Sequence, residues 1–130
     1  MFRKAGSDSC ICNNILDIEV ASKIVLPGMG SFDNCIKKYN QSGFREIIEH
    51  RVLKEKIPVL GICVGLQMLM ENSEEGNLLG LGWIKGSTIR FKPELMQPNQ
   101  KIPNMGWLEI DPKKQSPLLT DLENARFYFA

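Results

Sequence analysis

The sequence has one histidine, His50, in 130 residues, and aromatics make up only 8% of it. Its charge is nearly balanced, with a net value of +1 and Lys and Arg scattered along the chain. That leaves no basic stripe to follow a phosphate backbone or a membrane surface, so neither a nucleic acid nor a membrane is expected as a partner. No apolar run approaches the roughly 20 residues of a membrane-spanning helix. The first ten residues, MFRKAGSDSC, contain no apolar stretch of the kind that marks a secretory signal. The cytoplasm is therefore the expected compartment, and there thiols stay reduced. Four cysteines are present, Cys10, Cys12, Cys35 and Cys63. Cys10 and Cys12 have metal-ligand spacing, but no second pair or nearby histidine accompanies them, so no metal and no cofactor is expected.

What is present is the make-up of one soluble domain, 43% hydrophobic and 24% charged. Residues 20 to 26, VASKIVL, are short, β-branched and apolar; they predict a buried strand stopped by Pro27-Gly28. Residues 32 to 55 carry a helical period, with Phe44, Ile47, Ile48 and Val52 on one face and Gly43 dividing the stretch in two. Residues 58 to 62 predict a second buried strand, and 65 to 72 a second helical segment. Strand, crossover helix, strand and helix in that order predict an α/β fold with a parallel sheet. After residue 76 the texture changes to Gly-rich and β-branched stretches, LGLGWIKGSTIRF and KIPNMGWLEI, which predict short strands and hairpins, and RFYFA predicts one more strand. PELMQPNQ, between them, reads as a surface loop.

The chemistry centres on Gly61-Ile62-Cys63-Val64-Gly65, at the predicted strand-to-helix corner. Glycines two residues to either side leave room for a strained turn, as in the nucleophile elbow of G-x-S-x-G hydrolases. A helix start favours an anion, and the thiolate is the nucleophilic form of cysteine. The N–H of Val64 would point where an oxyanion forms. A buried structural cysteine at a strand end is the plainer alternative. The loop Pro27-Gly28-Met29-Gly30 follows the other strand, and in a parallel sheet it would share an edge with Cys63 and offer a second oxyanion donor; a plain strand-to-helix turn is its alternative. Gln67 lies one helical turn beyond Cys63, where it would edge the same pocket. Glu74 and Glu75, taken alone, read as a solvated acidic turn. His50 reads as a solvated helix residue.

Taken together, LPGMGSFD, LGICVGLQMLMENSEEG, GLGWIKG, IPNMGW and RFYF resemble, in order, the LPGVGxF, LGICLGMQLLxxxSEEG, GLGxIxG, VPHMGWN and FYFVHSY segments of the class I (triad) glutamine amidotransferases. The resemblance is to the glutaminase subunits of imidazole glycerol phosphate synthase above all. It implies a flavodoxin-like fold and one amidotransferase domain over residues 1–130. It implies glutamine hydrolysis to glutamate and ammonia through a thioester on Cys63. Val64, Gly28, Met29 and Gly30 would form the oxyanion hole, and Gln67 and Glu75 would bind glutamine. Asn104, Met105 and Trp107 would lie near the interface with a (β/α)8-barrel synthase subunit that receives the ammonia for histidine biosynthesis. Trp107 reads equally well as a core aromatic.

Three departures stand out. Asn104 takes the place of the usual His. The family's HSYxxE-like stretch, which carries the triad His and Glu, would begin where Phe129-Ala130 stand. The first strand and its DYGxGN turn have no counterpart, and MFRKAG resembles the end of the helix that follows them. The expectation is therefore a chain incomplete at both ends and inactive alone. Alternatives within the same reading are a relative that donates ammonia to a surface-polysaccharide sugar, and a non-catalytic binding module. An unrelated cysteine hydrolase is a weaker fourth reading.

Overall fold

The computed structural model describes residues 2–98, 100–120, 122 and 125–129. Met1, Asn99 and Ala130, which fall within the expected N-terminal helix end, loop and last strand, lie outside the described residues. The chain divides into two compact units, Met1–Arg90 and Phe91–Ala130.

The first unit begins with a short 3-10 turn and then α1 (Ile15–Glu19). The Asn14 side chain caps α1 by accepting from the Asp17 N–H at 3.0 Å, which satisfies an amide that the helix start leaves without a partner. The strand β1 (Ile24–Gly28) pairs in parallel with β2 (Val59–Cys63). Between them run α2 (Phe32–Gln41), α3 (Arg45–Glu49) and a π-helical turn over His50–Lys54. Gly43 divides α2 from α3 as expected, with φ of 75°.

The first strand is not where its apolar run placed it. It begins at Ile24 and continues through Pro27 and Gly28 instead of stopping before them. Proline has no N–H to give, so it fits a strand only where that position faces away from the ladder, as on an edge. Val20, expected within the strand, is instead the C-cap of α1 and is exposed. The second strand runs one residue further than expected, to Cys63 itself, and α4 (Val64–Leu69) begins immediately. The predicted helix over 65 to 72 ends early because the chain turns into a two-residue strand, β3 (Asn72–Ser73), paired in parallel with β4 (Ser87–Thr88).

Apolar spacing explains the core. Phe32, Ile36 and Tyr39 occupy one face of α2, Ile48 and Val52 extend it along the crossover, and Val64 and Met68 close it from α4. Each fully buried side chain of this size stabilises the fold by roughly 1.5–3 kcal/mol. Phe44 and Ile47, predicted on the same face, pack against this cluster from its margin. Among the described residues no helix is long and apolar enough to cross a membrane.

The second unit contains β5 (Gly106–Glu109) and β6 (Arg126–Phe129), which pair antiparallel. The loop expected over 93–100 contains a 3-10 turn at Pro93–Leu95.

Candidate functional site

Cys63 ends β2 and is the N-cap of α4, with φ 55° and ψ −124°. Among the described residues only it and Lys56 combine a side chain with positive φ. Such backbone costs about 1–3 kcal/mol and persists where its surroundings enforce it. The surroundings here are glycines. A β-carbon on Gly65 would collide with the Leu26 carbonyl, and one on Gly28 would collide with the backbone of Val64 and Gly65. With hydrogen at both positions, α4 starts directly against β1 and the chain turns at Cys63. The thiol is exposed. Val64 is the first residue of α4, so its N–H has no intrahelical acceptor.

The parallel register places Gly28 opposite Cys63, and neighbouring strands lie roughly 4.8 Å apart. The loop that leaves β1 and the elbow that leaves β2 thus share one edge, as the sequence predicts. Met29 at its tip is 93% exposed, and Gly30 has φ of 109°. The Met29 carbonyl accepts from the Cys35 thiol at 3.7 Å.

Gln67 and Glu75 belong to one hydrogen-bond chain. The Ser73 hydroxyl donates to Gln67 Oε1 at 3.3 Å and accepts from the Glu75 N–H at 3.2 Å. Glu75 Oε1 then accepts from the Phe32 N–H, at the start of α2, at 3.3 Å. Asp33, next along α2, accepts from the Asn77 and Leu78 amides at 2.9 and 3.0 Å. Glu74 accepts from the Arg90 N–H at 2.7 Å. The acidic turn is therefore not merely solvated: its two carboxylates and Asp33 tie residues 73 to 78 to α2 and to Arg90, just beyond β4. Sequence reasoning missed Ser73 and Asp33. Both stand inside quoted motifs, SEEG and LPGMGSFD, but their acceptor and donor partners lie up to 45 residues away.

His50 stands elsewhere. It is exposed and pairs through Nδ1 with Glu55 at 3.0 Å. Its neighbour Arg51 donates to the Ala21 carbonyl, ahead of β1, at 2.6 Å. This turn of the crossover is thereby held at the N-terminal edge of the strands, and Cys63 is at the C-terminal edge. Among the described residues no group of three or more His, Cys, Asp or Glu side chains is placed to hold a metal ion.

A profile of the family described as glutamine amidotransferase class-I matches residues 7–124. The chain belongs to this family. A Bdellovibrio bacteriovorus relative named imidazole glycerol phosphate synthase subunit HisH is 51% identical over 112 residues, covering 84% of this chain and 54% of the relative. Its namesake in Leptospira borgpetersenii is 42% identical over 114 residues, covering 87% of this chain and 56% of that one. Subunit HisH 1 of Campylobacter jejuni is 42% identical over 130 residues, covering 98% of this chain and 63% of the relative. The chain thus spans between about half and just under two thirds of the length of these relatives.

Of the residues that the family resemblance puts at a partner interface, Asn104 and Met105 are exposed and precede β5. Trp107 is on β5, 61% exposed, so it is not a core aromatic of its unit. It meets Tyr128 of β6 edge-on, with ring centroids 5.7 Å apart.

Proposed function

We propose that this chain carries the nucleophile and the oxyanion site of a glutaminase that supplies ammonia to a (β/α)8-barrel synthase subunit for imidazole glycerol phosphate and histidine biosynthesis. In this reading the Cys63 thiolate attacks the side-chain carboxamide of glutamine. The N–H of Val64 and an amide of the Gly28–Met29–Gly30 loop stabilise the oxyanion. Ammonia leaves with a proton, and water hydrolyses the glutamyl thioester to glutamate. Gln67 and Glu75 hold the amino-acid end of glutamine. Asn104, Met105 and Trp107 face the synthase subunit in a cytoplasmic heterodimer. The observation that carries the reading is the Gly28–Cys63 register, with Cys63 held at positive φ at the start of α4. The names of the relatives favour the histidine route over donation to a surface sugar.

A second reading has a specific observation in its favour. His50 is held at the opposite strand edge from Cys63, so these 130 residues would bind glutamine and partner without turning substrate over. Both readings require a glutamine site at Cys63. A chloromethyl ketone analogue of glutamine tests it: the thiolate displaces chloride and the label stays on sulfur. Saturable labelling confined to Cys63, blocked by glutamine and absent in Cys63→Ala, is expected. Labelling spread evenly over the four cysteines, with no protection by glutamine, would sink both.

A further inference from the structure

We infer that Ser73 is a positioning residue of this site, which holds Oε1 of Gln67 and so leaves the amide's Nε2 end free to donate to a ligand. The inference rests on the glutamine-site reading above and adds to it a residue and a direction of hydrogen bonding. Ser73 is 4% exposed, so its hydroxyl is taken out of water. A buried hydroxyl is costly unless bonded, so what it bonds to determines its role. Its oxygen receives the Glu75 N–H at 3.2 Å. A backbone amide can only donate, so the hydroxyl's own proton must go to its other partner, Gln67, 3.3 Å away. That partner atom must then be an acceptor. The orientation of a carboxamide follows from its hydrogen-bond network, and here Oε1 is committed to Ser73. Nε2, which has two protons and no accepting capacity, is the end of the amide that Ser73 leaves unengaged.

The same hydroxyl links Gln67 to the neighbouring strand end. Glu75, whose N–H Ser73 holds, spends Oε1 on the Phe32 amide. Phe32 opens α2, just beyond Gly30 and Ser31. One hydroxyl thus sets a donor at Gln67 and steadies the carboxylate turn that reaches the loop beside Cys63. Its position on β3, paired with Ser87–Thr88, keeps it in register.

The test uses this chain, the chloromethyl ketone analogue of glutamine, and iodoacetamide as an alkylator with no glutamine backbone. Ser73→Ala should raise the analogue's half-saturation concentration about three- to tenfold, the worth of one hydrogen bond. Its limiting rate and the iodoacetamide rate at Cys63 should not change. Ser73→Thr, which keeps the hydroxyl, should restore the wild-type value. In a Gln67→Leu background Ser73→Ala should have little further effect, because its acceptor is gone. Unchanged half-saturation in Ser73→Ala overturns the inference. So does an equal slowing of both reagents, which would mean that Ser73 only supports the elbow, and so do fully additive effects of the two substitutions. If the wild-type chain shows no saturation with the analogue, the glutamine-site reading itself fails and takes this inference with it.

Discussion

Gly65, in the first turn of α4, lies against the carbonyl of Leu26 in β1 so closely that no β-carbon fits between them. Backbone cannot give way there as a flexible side chain would. Gly65→Ala should cost about 3 kcal/mol or more, the upper end of overpacking penalties. Urea denaturation measures it, and a loss below roughly 1 kcal/mol would mean that the helix can lift off the strand without consequence.

Cys63 occupies backbone that favours glycine. Relieving such strain is worth about 1–3 kcal/mol, against about 0.5–1 kcal/mol for glycine's extra freedom in the unfolded chain. Cys63→Gly should therefore be more stable than the wild type by about 1 kcal/mol while losing all covalent labelling there. A protein stabilised by removal of its nucleophile has the signature of a strained site; a destabilised one would show that the thiol's contacts outweigh the strain.

Tyr39 is buried in the core, and its hydroxyl has no hydrogen-bond partner among the described residues. Burial, and then Glu49, raise its pKa well above the ordinary 10.0, with Arg45 opposing. The folded state thus keeps the proton after the unfolded chain has released it. Stability should be intact below pH 10.0 and fall as the pH rises above it. Tyr39→Phe should remove that fall, and should add about 1 kcal/mol at neutral pH by removing an unsatisfied buried group. Thermal melts of both proteins from neutral to strongly alkaline pH decide it.

The Cys12 thiol is raised above its ordinary value, by partial desolvation first, and then by Cys10 and Asp17. A raised thiol has less thiolate at a given pH, and thiolate is the reactive form. The alkylation rate of Cys12 should rise only at higher pH than that of an ordinary cysteine thiol in a short peptide. Asp17→Asn should move it part of the way back. Peptide mapping after timed iodoacetamide exposure reads both, and coincident profiles would contradict the shift.

Glutamate release by these 130 residues should be at or near background. A leaving amine needs a proton and the thioester needs an activated water, and loss of such help costs roughly 10²- to 10⁴-fold. His50 is engaged with Glu55 at 3.0 Å and held near the opposite strand edge. The comparison is with Cys63→Ala and His50→Ala. Sustained turnover that His50→Ala abolishes would place the base within this chain after all.

Much of this site was legible in the sequence because its signals are short-range. Glycines two residues from Cys63 announce a close approach, and β-branched runs announce the two strands. Gly43 marks the break in the crossover. What stayed hidden depends on partners far along the chain. Asp33 reads as an ordinary residue of a helix's first turn until the Asn77 and Leu78 amides arrive. Ser73 reads as a turn residue until Gln67 folds over it. The start of β1 was misplaced because Val20 is apolar and β-branched, yet capping α1 places it in solvent. Pro27 misled in the other direction, since proline ends a strand only where its missing N–H is needed.

The ladder from Ile24–Val59 to Gly28–Cys63 also bears on how this protein can change over generations. Side chains alternate across a strand, and each residue advances the chain about 3.3 Å. Adding or losing one residue in either strand would carry the elbow past the loop by that distance and turn every side chain behind it to the other face. Apart from Gly28, Gly61 and Cys63, substitutions along β1 and β2 can accumulate one at a time, whereas a change of length must occur in both strands together. Drift in this part of the gene is thereby confined to spelling, and insertions and deletions are left to the turns outside the ladder.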